Sequence, residues 1–281
     1  MAKARVVNVQ FNDEQPTFAQ YTNRLLAEGD SWFAWAHMNR KPSSNILEEL
    51  QFLDPTVIVS LAYSGDVISN MGDERANIHL YFELQALRYD ALLLSGGGND
   101  LIDVLNPDNG SPPIIVPCGA NPPNAADSYV DAAALTALTG SVLDGYNNII
   151  AMRDTSAANK HTPIVLHTYD FPTPRNAKAT FMNHPVKGPW LLPAMINAAV
   201  PAALYQAVTD IVFNALADAL LTLHDPQGGV RVVNTRNTIA RAAPGTTELS
   251  GHWINEIHPD AYGYSLIGRK ISAELGNLGI L

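Results

Sequence analysis

What limits the fold of this chain first is the recurrence of short, mostly apolar runs separated by segments long enough for a helix. The runs are residues 57–62 (VIVSLA), 91–94 (ALLL), 164–167 (IVLH) and 230–233 (VRVV), with a weaker one at 24–28 just before a glycine. A short apolar run without alternation reads as a strand buried on both faces, as parallel strands under helical layers are. Helical patterning is expected at 45–52, 77–89, 128–153, 193–223 and 261–278. Alternation of this kind predicts an α/β chain, a three-layer α/β/α sandwich around a flavodoxin-like parallel sheet. No linker-like block or internal repeat divides it, so one domain is expected over 1–281, with 1–22 as an N-terminal extension. Two segments break the alternation, 103–127 and 171–193, both studded with Pro, Gly or Asn. They are expected to be long loops near the functional face.

Charge and composition remove several classes of function. Seventeen Lys and Arg against 27 Asp and Glu leave a net charge of −10, which disfavours a nucleic-acid partner because phosphate backbones are held by clustered cations. A single cysteine, Cys118, excludes an intramolecular disulfide, and no His or Cys spacing resembles a zinc site. Neither a metal nor a cofactor is expected. The first 15 residues lack the apolar core of a signal peptide, and no uninterrupted apolar run reaches spanning length. The expectation for the sequence as it stands is a soluble, cytoplasmic protein.

In open parallel sheets the reactive groups gather beyond the carboxyl ends of the strands, so the residues that follow each run carry the functional reading. They are Gly29-Asp30-Ser31-Trp32, then Tyr63-Ser64-Gly65-Asp66, then Gly96-Gly97-Gly98-Asn99-Asp100; Asn255-Glu256-Ile257-His258-Pro259 stands before the last helix. A serine hydroxyl needs a base to become a nucleophile, and the oxyanion it creates needs donors already in place. Ser31 at a strand-to-helix turn can be that nucleophile and His258 its base. The Ser31 and Gly65 backbone amides and the uncharged Asn99 side chain can be the donors. Asp30 and Asp100 are expected to cap helices. His37, His167 and His252 are expected in packing or surface roles, although His167 could reach the crevice from its strand end.

These four blocks, in this order, resemble the SGNH or GDSL-type hydrolases, a superfamily of esterases, lipases, thioesterases and carbohydrate deacetylases. The resemblance covers most of the chain. It implies a small-molecule ester substrate, Ser31 as nucleophile, His258 as base, and Ser31, Gly65 and Asn99 as the oxyanion hole. At one place the sequence departs from the pattern: position 255, where the family usually has the triad Asp, is Asn. Three arrangements stay open, with Asn255 as the group that orients the base, with neighbouring Glu256 as the acid, or with a Ser–His dyad. Trp32, His167, Phe171 and Trp190, with Phe181 and Leu191 in the same loop, are expected around an apolar substrate pocket. Short- to medium-chain acyl esters are the expected substrates. Carbohydrate O-acetyl esters are the alternative, and a non-catalytic binding module on the same fold is the reading from a different class.

Overall fold

A computed structural model describes residues 1–9, 17–34, 43–105, 113–119, 125–181 and 184–280 of the chain, the side chains of 181–186 excepted. Its centre is a six-stranded, entirely parallel sheet. The strands are β2 (Arg5–Asn8), β3 (Asn23–Gly29), β5 (Thr56–Ser60), β6 (Ala91–Ser95), β7 (Ile164–His167) and β10 (Val230–Val233). Their order is β10-β7-β6-β3-β5-β2. Two small antiparallel pairs lie outside it, β1 (Ala2–Lys3) with β4 (Gln51–Phe52) and β8 (Ala179–Phe181) with β9 (His184–Lys187).

Helices cover both faces. On one side α1 (Ser31–Ala34), α2 (Ile46–Glu49) and the C-terminal α9 (Ala261–Asn277) pack together. On the other, α3 (Ile68–Met71), α4 (Ile78–Ala86), α5 (Gly98–Leu105) and α8 (Tyr205–Leu221) gather around the long α6 (Ala132–Thr155). With both faces covered, Leu25, Leu26, Ile58, Leu92, Leu93 and Ile164 are fully buried whichever way they point. That is why these strands carry unbroken apolar runs.

From β3 onward the order is the flavodoxin-like 2-1-3-4-5. The chain leaves β3 for β5 on one side and returns to β6 on the other, so a crevice opens outside the carboxyl ends of β3 and β6. The register sets Gly29 opposite Ser95, and the peptides that follow both strands therefore enter that crevice at the same height.

Two expectations about the elements are corrected. The segment taken as an N-terminal extension supplies β2, an edge strand pairing Arg5–Asn8 with Val57–Ser60. The helix expected over 193–223 is two: α7 (Leu192–Asn197) and α8, joined through a 3-10 turn at Ala202–Leu204. Pro201 explains the break, because the residue before a proline is pushed out of the helical region. Ala199, at φ 52°, turns the chain there. By length and composition the helical stretch 202–221 could cross a membrane, but Val208, Val212, Leu216 and Leu220 are packed into the core.

Candidate active site

Ser31 is the first residue of α1 and only 7% exposed. Asp30 sets the turn that presents it: one carboxylate oxygen accepts from the Trp32 N–H at 3.0 Å and the Ser95 hydroxyl at 2.9 Å, and the other accepts from the Tyr169 hydroxyl. Burial pushes the Asp30 carboxyl up to about 6, against the pull of those donors. Behind the serine, the Trp32 indole N–H donates to the Ile257 carbonyl at 3.2 Å, which ties the helix that Ser31 opens to the segment carrying His258.

His258 lies against Ser31. His258 Nε2 is 2.8 Å from Ser31 Oγ, and its Nδ1 is 3.1 Å from Asn255 Oδ1. Two backbone donors fix the rotation of the Asn255 amide, since its Oδ1 also accepts from the Ile257 and His258 N–H groups at 3.0 and 2.8 Å. The amide oxygen, not the amino group, must therefore face the ring, so the proton sits on Nδ1 and the Nε2 lone pair faces the serine hydroxyl. Burial holds His258 down to about 3.

Glu256 is placed elsewhere. Its carboxylate accepts four backbone N–H groups, from Arg175, Trp190, Leu191 and Leu192. Burial raises it to about 7 while these donors pull it down. It clamps the 171–193 segment and does not orient the base. Arg175, which the sequence reading passed over, completes the clamp. The buried guanidinium donates to the carbonyls of Trp253 and Asn255 at 2.9 and 2.6 Å. Residues 171–175 are all buried, so this part of the segment is a packed wall and not a swinging lid.

Besides the Ser31 amide, two donors are expected: Asn99 lines the same cleft as Ser31, and Gly65 sits in the loop that follows β5. Gly65 has φ +93° in a turn closed by the Asp66 N–H donating to the Tyr63 carbonyl, a conformation that favours glycine. Among the described residues neither the Ser31 nor the Gly65 N–H has a hydrogen-bond partner. Asn99, in the first turn of α5, donates one amide hydrogen to the Asp66 carbonyl at 2.8 Å, which leaves its second hydrogen for another acceptor. Asp100 caps α3 of the neighbouring loop by accepting from the Ile68 N–H at 2.9 Å, so the Gly65 and Asn99 loops are locked together. At Gly98 a Cβ would lie 2.9 Å from the Tyr169 ring, which keeps this position bare.

The cleft beside Ser31 is narrow, about 20 Å³, and is lined by Trp32, Asn99, Ile102, Tyr169, Pro172 and Phe213, among others. Of the residues expected to wall the pocket, Trp32 lines the cleft, whereas His167, Phe171 and Leu191 turn away from it. His167 is fully buried, stacked 5.8 Å from Trp32, with its Nδ1 on the Thr168 carbonyl, and burial holds it down to about 4. Phe171 is buried beneath the Arg241 guanidinium, 4.6 Å from its ring, and Leu191 is buried as well. Trp190 does reach the site: its ring stands edge-on to His258 with centroids 5.6 Å apart. The Phe181 side chain and His37 lie outside the described residues. His252 is paired with Asp260 at 3.1 Å on the surface. Tyr169 and Pro172, which the sequence reading missed, follow β7 and obey the rule that located Ser31 and Asn99.

No protein-family model and no curated protein matches the chain. Similar solved structures include the lipase Lip_vut3 from a goat rumen metagenome, 12% identical with a TM-score of 0.55, the match covering 90% of this chain and 97% of that one. A carbohydrate acetylesterase family member from Sinorhizobium meliloti is 15% identical with a TM-score of 0.46, over 92% and 99%. An extracellular lipase from Streptomyces rimosus is 14% identical with a TM-score of 0.45, over 89% and 100%. The likeness to the rumen lipase establishes the fold, an α/β sandwich with a central parallel sheet, which is the architecture that the SGNH resemblance implied.

Proposed function

We propose that this chain is a serine ester hydrolase of the SGNH type, acting through an acyl-enzyme on esters of short acyl groups. The observation that carries the reading is His258 Nε2 at 2.8 Å from Ser31 Oγ with its Nδ1 held by an amide oxygen. In this reading the Ser31 oxygen attacks the ester carbonyl as its proton passes to His258 Nε2. The Ser31 and Gly65 amides and the Asn99 side chain receive the oxyanion. The imidazolium then protonates the departing alkoxide; water next attacks the acyl-enzyme as His258 takes its proton, and the imidazolium returns a proton to Ser31 Oγ as the carboxylic acid leaves. Asn255 fixes the tautomer but adds no negative charge.

The size of the cleft narrows the acyl group. A space of about 20 Å³ holds little more than one water-sized group. That fits the methyl of an acetyl ester and not a medium-length chain, and it favours the short end of the expected range. Acetylated carbohydrates remain the specific alternative within it, and their alcohol part would lie outside the cleft.

The test is labelling by a small serine-directed phosphonate, read by intact mass and peptide mapping. Single modification at Ser31, absent in a folded Ser31→Ala protein that also lacks turnover of p-nitrophenyl acetate, is the expected result. Full turnover in Ser31→Ala, or labelling at Ser64 or Ser95 instead, would overturn the mechanism. No labelling and no turnover in the parent protein would favour a binding module.

A further inference from the structure

Beside the segment 173–176 lies a second, larger pocket of about 520 Å³, open to solvent where Asn176, Ala202, Ala203, Pro244 and Gly245 are exposed. It opens where the 3-10 turn before α8 meets the loop at 244–245, and so belongs to no part of the Ser31 cleft. Cavities of several hundred Å³ with apolar walls and a few polar groups are the usual form of small-molecule sites.

Pro174, Ala203 and Pro244 give this cavity apolar walls. Asn176, Tyr205 and Gln206 add amide and hydroxyl groups. The Gln206 amino group is committed to the Pro172 carbonyl and Asp210, at 3.1 and 2.9 Å. Its carbonyl oxygen and the Tyr205 hydroxyl have no hydrogen-bond partner among the described residues. The one charge in the lining, Arg175, is 1% exposed, donates to backbone carbonyls and is partly balanced by the Glu256 carboxylate, while its Nε has no partner among the described residues. A lining with apolar walls, spare neutral polar groups and a single buried, partly balanced charge disfavours ions and fully polar solutes.

We infer that this cavity is a second ligand site, distinct from the ester cleft, for an uncharged amphiphile: an alkyl or aryl body carrying a hydroxylated or carbonyl-bearing head. Two of its lining residues also hold the catalytic frame. Arg175 donates to the Asn255 carbonyl, and the Leu192 N–H donates to Glu256. A bound amphiphile therefore rests on the structure that sets Asn255 and Trp190 around His258.

The probe is octyl β-D-glucoside below its micellar concentration, titrated calorimetrically into the whole protein before and after Ser31 is phosphonylated. One saturable site is expected, with affinity unchanged by the phosphonate. Ala203→Trp, which fills the cavity, and Tyr205→Ala, which removes its aromatic wall, should each weaken binding at least fivefold with thermal midpoints preserved. Octanoate, the anionic counterpart, should bind at least tenfold more weakly. Loss of binding on phosphonylation would place the glucoside in the ester cleft and overturn the inference. So would absence of binding, equal affinity for octanoate, or indifference to both variants. The proposal does not depend on the esterase reading: if the phosphonate fails to label, that reading suffers, and the two variants still decide the second site.

Discussion

Replacing Asn255 by Asp tests the least usual feature of the candidate site. The side chains are nearly isosteric, and Asp can accept the same three hydrogens, from Ile257 N, His258 N and His258 Nδ1. The difference is one negative charge about 3.1 Å from Nδ1. Two unit charges about 4 Å apart attract by about 4 kcal/mol at an effective dielectric near 20, and burying the new carboxylate takes back part of that gain. An opposite charge at this range usually raises a histidine pKa by about 1–3. In Asn255→Asp the imidazolium, now held down to about 3 by burial, therefore becomes easier to form.

Two consequences follow in the kinetics. Were the charge fully developed in the transition state, the gain would be about 10- to 1,000-fold, at tenfold per 1.36 kcal/mol. Partial proton transfer brings the expected rise in kcat nearer tenfold. The acid limb of kcat/KM, which reports the free base and begins near pH 3 in the parent, should move up by about 1–3. The assay is kcat/KM for p-nitrophenyl acetate across pH 3–9 on both proteins, with circular dichroism as the check on fold. An unmoved acid limb with an unchanged rate, or a slower enzyme with its structure intact, would refute the reasoning. Either result would mean that no positive charge forms beside position 255 during turnover.

Three further outcomes are expected. Asn99→Ala should lower kcat by roughly 10²–10³ with little change in KM if its free amide hydrogen meets the oxyanion; a change in KM alone would make Asn99 a binding residue. Trp190→Ala should slow acetyl and butyryl esters by a similar factor of about 2–10, because its ring packs edge-on against His258; a loss confined to the longer ester would return it to the pocket wall. Glu28, buried and hydrogen-bonded to the Gly29 N–H and the Asn77 amide, is pushed by burial from 4.5 up to about 7. A carboxyl raised in the folded state favours folding while protonated, so this contribution is full below pH 4.5 and is lost as pH rises through about 7. The rise corresponds to on the order of 3 kcal/mol. Thermal midpoints should accordingly fall from pH 5 to pH 8, and fall less in Glu28→Gln; an equal fall in both proteins would clear Glu28 of the effect.

What could be read in the sequence follows from where burial leaves a mark. The run 164–167 coincides with strand β7, buried along its whole length, and the run 230–233 coincides with the edge strand β10, where Val230 and Val232 are buried and Arg231 and Val233 only partly so. Arg5–Asn8 escaped notice: Arg5 is exposed and Val6 only partly buried, so this edge strand carries a pattern too short and too mixed to stand out. Ser31, Asn99 and His258 were legible because chain order and strand ends together predict a shared crevice. Phe171 and Leu191 misled because a loop's composition says nothing about direction, and both turn inward. Arg175 gave no signal at all. It sits between Pro174 and Asn176 in what reads as loop, and its partners lie 71–80 residues away.

The ambiguity between Asn255 and Glu256 shows where sequence reasoning meets its physical boundary. Both residues precede His258 closely enough to reach it, and by charge alone Glu256 is the better partner for an imidazolium. Backbone demand decides otherwise. The turn entering His258 leaves the Ile257 and His258 N–H groups without strand or helix partners, and a side-chain oxygen two or three residues upstream satisfies both at once, as an Asx turn does. Asn255 fills that role, and in doing so brings its oxygen within reach of the ring. Glu256, one residue later, points to the opposite side, where four N–H groups of the 171–193 segment would otherwise be buried unpaired at a cost of about 1–3 kcal/mol each. The carboxylate thus goes where it holds the wall together, and the neutral amide goes where it holds the base.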